Sequence, residues 1–477
     1  MGLILAKWVF FLLCVGTVIY YGWKRPAILP SLLAGAVAFD ISINWFPALG
    51  PLGSQLGSLA RLFTVGVIGA ALWRLWLEPE KRQVLKGILS HFLTRALMIY
   101  IAVGAVSLLY SIGRGKTAVE VARLLTLFLL YLGICLLAER KHTFLPFHVV
   151  HWVGVALVPL ALYEGMTRQF IWRGYLAEGM IARVNATFVD PNIFARYLVL
   201  AIVANLVLQF FNTLPWKRLV YFGSLLGLLG ALAITLSRSG VVTLVVVLML
   251  MVILIPRKQI IQPIGVLGLI GAVIVASRPT IWQRLLTFRE GFGALDAQRQ
   301  YLWKVAWAMF RDHPIFGVGL GGFQQMFLTH YISMKTVIPD VEGVTLSHTT
   351  ILTIAAELGL MGLAALAWVW LALVRVLRHL RNGMLVQSES INSVIYFPSI
   401  SATRQPPSPR LGASQVFFNR NSLERYIPGV GYFLWITTVF ISSQAEARFF
   451  EDPIIWISMG MMLCLLGEVG SEKTTWV

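Results

Sequence analysis

Long stretches with almost no charge recur from one end of the 477-residue chain to the other. A helix needs about 20 apolar residues to cross the hydrocarbon core of a bilayer. Such stretches are read at 3–23, 27–47, 57–77, 87–112, 119–138, 144–165, 193–212, 219–236, 239–256, 260–277, 348–374, 429–446 and 453–469. Asp40 and nearby Pro and Gly residues interrupt the second. Only 13% of the residues are charged and 58% are apolar, whereas a soluble protein carries roughly a quarter charged residues. Too little polar surface exists to coat a globule, and the same composition excludes disorder, a collagen-like chain and a disulfide scaffold. The expected fold is an all-α polytopic membrane protein with 12–13 transmembrane helices, forming a single membrane domain over 1–477.

Lys7 before the apolar run 8–23 resembles a signal peptide, but no A-x-A site follows it. Leu13 precedes Cys14 where a lipoprotein signal needs a small residue, and Gly2 lacks the Ser or Thr of a myristoylation motif. The run is expected to be a retained first helix. Cys14, Cys135 and Cys464 are scattered without a CxxC pair. Lys and Arg total 39 against 21 Asp and Glu, a formal charge of +18. In a soluble chain this would suggest nucleic acid; in a membrane chain it first reflects cytoplasmic charge that orients the helices, so no nucleic-acid partner is expected.

Alternate connections are basic: Lys24-Arg25, Lys81-Arg82, Arg140-Lys141, Lys217-Arg218, Arg257-Lys258, and Arg375 with Arg378 and Arg381. By the positive-inside rule they mark the cytoplasm, which leaves loops 113–118, 166–192, 237–238, 278–347 and 447–452 on the other side. In the extracytoplasmic segment 278–347, Leu302, Val305, Ala306, Met309 and Phe310 recur at helical spacing until His313-Pro314 stops the pattern. This loop is therefore expected to be partly helical. Ser, Asn and a Pro-Pro-Ser-Pro run mark 382–428 as a flexible cytoplasmic linker. No internal repeat is visible, which weighs against a transporter built from inverted halves.

The extracytoplasmic side also carries many cations, and most are arginine, the residue suited to bidentate contact with phosphate. Arg238 is the sharpest case: in Leu236-Ser237-Arg238-Ser239-Gly240 it lies between two apolar spans with almost no loop to carry it away. A charge near membrane depth costs at least ~2.5 kcal/mol unless it is paired or faces water. It either snorkels to headgroups or faces inward as an anion ligand, and the second reading is preferred. Three other constellations share that side. In 183–192, Asp190 and Pro191 read as the cap and first residue of the next span, which leaves Arg183 unexplained. In the second, Arg299 and Trp303 precede Asp312-His-Pro and a glycine block at Gly317, Gly319 and Gly321. No strand precedes these glycines, so they are not a dinucleotide fingerprint; a tight turn near a ligand or a neighbouring helix is expected. In the third, His348 stands where the long loop re-enters the membrane, ahead of the intramembrane Glu357. Nine positions apart, the two face opposite ways on a straight helix. Glu357 is expected to pair with an arginine of another helix, such as Arg61, Arg95, Arg123 or Arg196.

This ordered set resembles the O-antigen ligase/polymerase superfamily of bacterial integral-membrane glycosyltransferases. The resemblance rests on Thr-Phe-x-x-Pro-Asn at 187–192, Ser-Arg at 237–238, Arg-x3-Trp at 299–303, Asp-His-Pro…Gly-x-Gly-x-Gly at 312–321 and His348-x10-Gly359, and covers roughly 180–365. One departure is Val242, where family ligases tend to show Leu. The resemblance implies a GT-C-like fold in the bacterial plasma membrane, an active site on the extracytoplasmic face, and no metal or other cofactor. It also implies transfer of a glycan from an undecaprenyl-diphosphate carrier to a hydroxyl of another glycan, a lipid or a protein, with membrane lipids as the surroundings.

Breaking a glycosyl–diphosphate bond releases an anionic leaving group that a metal or fixed arginines must hold. No Asp-x-Asp occurs on the outer side, and Glu78-Pro79-Glu80 falls on the cytoplasmic one. The leaving group is therefore assigned to Arg238, Arg299 and Arg183. His348 is assigned as general base for the acceptor hydroxyl, in an inverting reaction, with Glu357, Asn192 and Trp303 in support. A polymerase of the same superfamily would need the same donor site. Two rival readings stay open beside it: a metal-dependent transferase using Glu78 and Glu80, and a lipid-linked glycan transporter.

Overall fold

The structure is a computed structural model and describes residues 2–47, 50, 56–172, 176–177, 181–211, 214–255, 265, 268, 297–331, 347–392, 420–446 and 449–467. The helices are α1 (Gly2–Lys24), α2 (Leu29–Ala36), α3 (Leu59–Leu77), α4 (Pro79–Ser90), α5 (Phe92–Val106), α6 (Arg114–Leu137) and α7 (Leu145–Thr167). They continue with α8 (Pro191–Phe211), α9 (Pro215–Ile234), α10 (Arg238–Leu254), α11 (Ala297–Asp312), α12 (Thr350–Asn392), α13 (Arg420–Ser443) and α14 (Pro453–Leu465). A pair of two-residue strands, Leu176–Ala177 and Ile181–Ala182, forms an antiparallel hairpin. Among the described residues nine helices are long and apolar enough to cross a membrane, and three shorter apolar helices join them. The chain is an all-α polytopic membrane protein.

Proline in the first turn starts α4, α9 and α14, and Pro191 opens α8; its fixed φ and missing N–H suit that position. Helices α8 and α13 form the centre of the bundle, with 83% and 89% of their most apolar stretches buried, against 17% for the peripheral α1. Two large amphipathic side chains of α13 are buried there with their polar atoms on backbone acceptors. Trp435 Nε1 donates to Leu200 O at 2.9 Å, and Tyr432 OH donates to Thr143 O at 2.7 Å.

Three expectations need correction. The stretch 27–47 is not one continuous span: after a 3-10 turn at Pro26–Ile28, α2 lasts eight residues and a second 3-10 turn covers Asp40–Asn44. The chain bends there to join 187–189, where Ile41 N donates to Thr187 O (3.0 Å) and Thr187 Oγ1 to Ala38 O (2.5 Å). The stretch 87–112 begins as a membrane helix only at Phe92, because His91 leaves helical geometry and its ring accepts from Leu93 N as a cap. The expected linker 382–428 is helical at both ends, through Asn392 and from Arg420; its centre lies outside the described residues, as does the expected span 260–277.

Basic turns gather at one end of the bundle. There Lys81 Nζ donates to Leu136 O (3.0 Å), Arg74 reaches Trp23 O (3.3 Å) and the Arg375 guanidinium lies 4.8 Å from the Phe92 ring. Glu78 belongs to this end and pairs with Arg74. The opposite end holds the segments singled out from the sequence.

Candidate active site

The turn between α9 and α10 fixes Arg238. Thr235 Oγ1 accepts from Ser237 N (3.2 Å), Leu236 adopts a left-handed φ of +51°, and Ser237 Oγ caps α10 by accepting from Gly240 N (3.2 Å). Gly240 is required because a Cβ there would lie 2.8 Å from Ala195 Cβ on α8. Arg238 thus becomes the first residue of α10, and it is exposed. A helix N-terminus carries partial positive charge, so this position repels a cation and attracts an anion.

The same turn is tied to the start of α8. Asp190 receives Asn192 N at 2.6 Å and Phe194 N bonds to Asp190 O at 3.1 Å, which is the cap expected from the sequence. Asn192 Oδ1 then accepts from both Arg183 Nη2 (2.9 Å) and Ser237 Oγ (2.8 Å), while Arg183 Nε donates to Thr235 O (3.2 Å). Arg183, Asn192 and the Arg238 turn therefore form one network. Glu164 of α7, which sequence reasoning missed, anchors the segment before α8: it is buried and accepts from Ala186 N at 2.9 Å and Ile171 N at 3.1 Å. An acidic residue inside an apolar span was the available signal.

Helix α12 breaks at Gly359, with φ +61° and ψ −153°. The break frees two carbonyls and two N–H groups, and buried backbone groups need partners. The glycine block supplies all four: Val318 N donates to Ala356 O (2.9 Å), Gly319 N to Glu357 O (2.8 Å), Leu360 N to Pro314 O (2.8 Å) and Met361 N to Ile315 O (3.2 Å). Gly317 at φ +67° permits the approach, since a Cβ there would lie 2.3 Å from the Glu357 carbonyl carbon. The expected tight turn against a neighbouring helix is this crossing. The expected arginine partner for Glu357 is overturned. Its Oε1 accepts from Phe323 N (3.3 Å) in the glycine block, whereas Arg196 pairs with Glu446 (3.0 Å) and Asp452 (3.2 Å), and Arg123 with Glu120 (3.0 Å) and Glu451 (3.2 Å).

Helix α11 forms where the sequence periodicity placed it. Leu302, Val305, Ala306 and Met309 are fully buried against Val318, Phe323, Phe327 and Ala356. Arg299 and Trp303 stand one turn apart on it, both half-buried. His348 is not on α12, which begins at Thr350, so the face relation expected for a straight helix does not apply. It is half-buried in a left-handed conformation (φ +58°) within a strap tied to the end of α13. Thr350 Oγ1 bonds Ser443 Oγ (2.9 Å), Ile351 N donates to Gln444 Oε1 (3.3 Å), and Ser347 Oγ bonds Thr353 Oγ1 (2.8 Å). Two residues past Gln444, Glu446 holds Arg196, one helical turn from Asn192. The described contacts thus run from the His348 strap to the Arg238 turn at one end of the bundle. Of the other cations on this side, Arg173, Arg278, Arg284, Arg289, Lys335 and Arg448 lie outside the described residues.

No curated protein matches the chain. A family model described as O-antigen ligase matches residues 222–367, the stretch that carries Arg238, Arg299, Trp303, the glycine block, His348, Glu357 and Gly359. Arg183 and Asn192 precede it and are joined to it by the hydrogen bonds above. Over these residues the match supports the resemblance to the O-antigen ligase/polymerase superfamily.

Proposed function

We propose that the protein is a membrane glycosyltransferase that moves a glycan from an undecaprenyl-diphosphate carrier to an acceptor hydroxyl, as an O-antigen ligase does. The acceptor oxygen attacks the anomeric carbon from the face opposite the diphosphate, the C–O bond to phosphate breaks with inversion, and His348 takes the hydroxyl proton. Arg238 and Arg299 receive the charge that develops on the departing diphosphate. Arg183 contributes mainly by bracing the Arg238 turn, because two of its nitrogens already donate to Thr235 O and Asn192 Oδ1. Trp303 and Glu357 support the site through α11 and the glycine block. The reaction runs on the extracytoplasmic face of the plasma membrane, consistent with the basic turns at the far end.

The observation that carries this reading is an arginine at a helix N-terminus, held by the Arg183–Asn192–Ser237 network at the same end as the imidazole strap. The test is turnover by the purified chain, supplied with carrier-linked donor and acceptor, in the presence of chelator and without any gradient. Arg238→Ala is expected to slow it about 10²–10³-fold and His348→Ala about 10²–10⁴-fold. Full activity in either variant removes that residue from the mechanism. Products of stepwise increasing repeat number would assign a polymerase, and transport without product would assign a transporter.

A further inference from the structure

At the basic end of the bundle, α5 and α12 run side by side and share a lipid-facing surface. On α12 the exposed residues Trp368, Leu371, Arg375 and Arg378 recur at three- and four-residue spacing, which puts them on one face. On α5 the half-buried Phe92 and the exposed Arg95 and Met98 do the same. Each stripe passes from apolar to cationic within about one helical turn, as expected where helices leave the hydrocarbon.

The Arg375 guanidinium joins the two stripes, standing 4.8 Å from the centre of the Phe92 ring. Arg95 follows Phe92, and Arg378 follows Arg375, by three residues, so three guanidiniums flank one aromatic ring. Among the described residues none of the three enters an ion pair or a hydrogen bond, whereas Arg74, Arg123 and Arg196 are all paired with carboxylates. The neighbouring His91 adds no charge at neutral pH, because burial, His379 and Arg375 push its imidazole down to about 4.

We propose that this surface binds one net-anionic phospholipid of the phosphatidylglycerol kind, its phosphodiester held between Arg375 and Arg95 with Arg378 beside it. Three like charges with no carboxylate among them repel one another. A phosphodiester relieves that repulsion and matches the paired N–H groups of a guanidinium. A zwitterionic headgroup would bring its own ammonium into the same positive field. The Phe92 ring already orients the Arg375 guanidinium, and the acyl chains continue along Met98, Leu371 and Trp368, all exposed on the same surface. This site is independent of the catalytic reading.

The test is native mass spectrometry of the full-length protein in detergent with equimolar phosphatidylglycerol, phosphatidylethanolamine and phosphatidylcholine of matched acyl chains. One phosphatidylglycerol adduct is expected to outcompete the other two by about tenfold, or ~1.4 kcal/mol. Arg375→Gln and Arg95→Gln should each remove most of that preference, and Arg375→Lys should keep part of it. Both arginines are exposed and hold no other element, so these variants should melt with the unaltered protein. Lys141→Gln is the control: it removes one positive charge at the same end, on the turn between α6 and α7, and should leave the preference intact. Equal losses in Lys141→Gln and Arg375→Gln would replace the site by a general positive field and overturn the proposal. Equal binding of all three lipids, or a preference that survives both Arg375→Gln and Arg95→Gln, would overturn it as well.

Discussion

Replacing Gly359 by alanine tests the crossing of α12 and the glycine block. The backbone at φ +61°, ψ −153° is open essentially only to glycine, and a side chain there costs about 1–3 kcal/mol in strain. A Cβ would also lie 2.5 Å from the carbonyl carbon and oxygen of Ile315 and 2.8 Å from Phe316 N. These are backbone atoms, so relief requires the 315–316 segment to withdraw by about 1 Å to reach ordinary contact distance. That movement breaks the bonds from Leu360 N and Met361 N to Pro314 O and Ile315 O, at about 1–3 kcal/mol for each buried group left without a partner. The expected local destabilisation is about 5 kcal/mol, or three to four decades in the opening constant. Hydrogen exchange on the full-length protein should show the Leu360 and Met361 amides losing about 10³-fold or more of their protection. Gly230→Ala is the control, since a Cβ there meets nothing within 4 Å, and it should leave exchange unchanged. Equal protection in Gly359→Ala and the unaltered chain, or equal losses in both variants, would refute the account of the break.

Two further outcomes follow from the ion pairs and the loop. Arg196→Met should cost about 3–5 kcal/mol, because it removes the guanidinium that pairs with Glu446 and with the buried Asp452; thermal unfolding in detergent measures it, and a neutral result would show that the pairs do not hold α8 to Glu446 and Asp452. Glu357→Ala should lower stability by about 1–3 kcal/mol through the orphaned Phe323 N–H. Glu357→Gln, which keeps an acceptor oxygen, should lose much less, and equal melting temperatures for the two would remove Glu357 as the anchor of the loop.

The helices were legible because lipid imposes a simple rule on a chain, so apolar length alone placed α3, α6, α7, α8 and α9 to within a few residues. Local chemistry was legible as well: Asp190 and Pro191 start α8, and Leu302, Val305, Ala306 and Met309 are the buried face of α11. Non-local partners were not. Nothing in the sequence near Glu357 distinguishes an arginine partner from a backbone N–H arriving from Phe323, and nothing near Asn192 announces Ser237. Positive φ at Leu236 and His348 was equally hidden, since neither is a glycine. Residues 27–47 misled because composition counts apolar length but not where the backbone must turn to meet Thr187.

Arginine number is therefore a poor measure of anion-binding capacity at this end of the bundle. Arg196 and Arg123 are held by carboxylates, and Arg183 donates to a carbonyl and an amide oxygen; these three are framework. Arg238 is set apart by its position. As the first residue of α10 it opposes the helix dipole, at a cost of about 0.3–1 kcal/mol that a bound anion would reverse. A residue that costs the unliganded fold and gains on binding is expected of a ligand-holding group. Arg238→Gln should accordingly leave the melting temperature of the unliganded protein unchanged or slightly higher, while donor binding is lost. If instead Arg238→Gln destabilises as much as Arg196→Met, Arg238 is framework too, and the leaving-group charge must be held elsewhere.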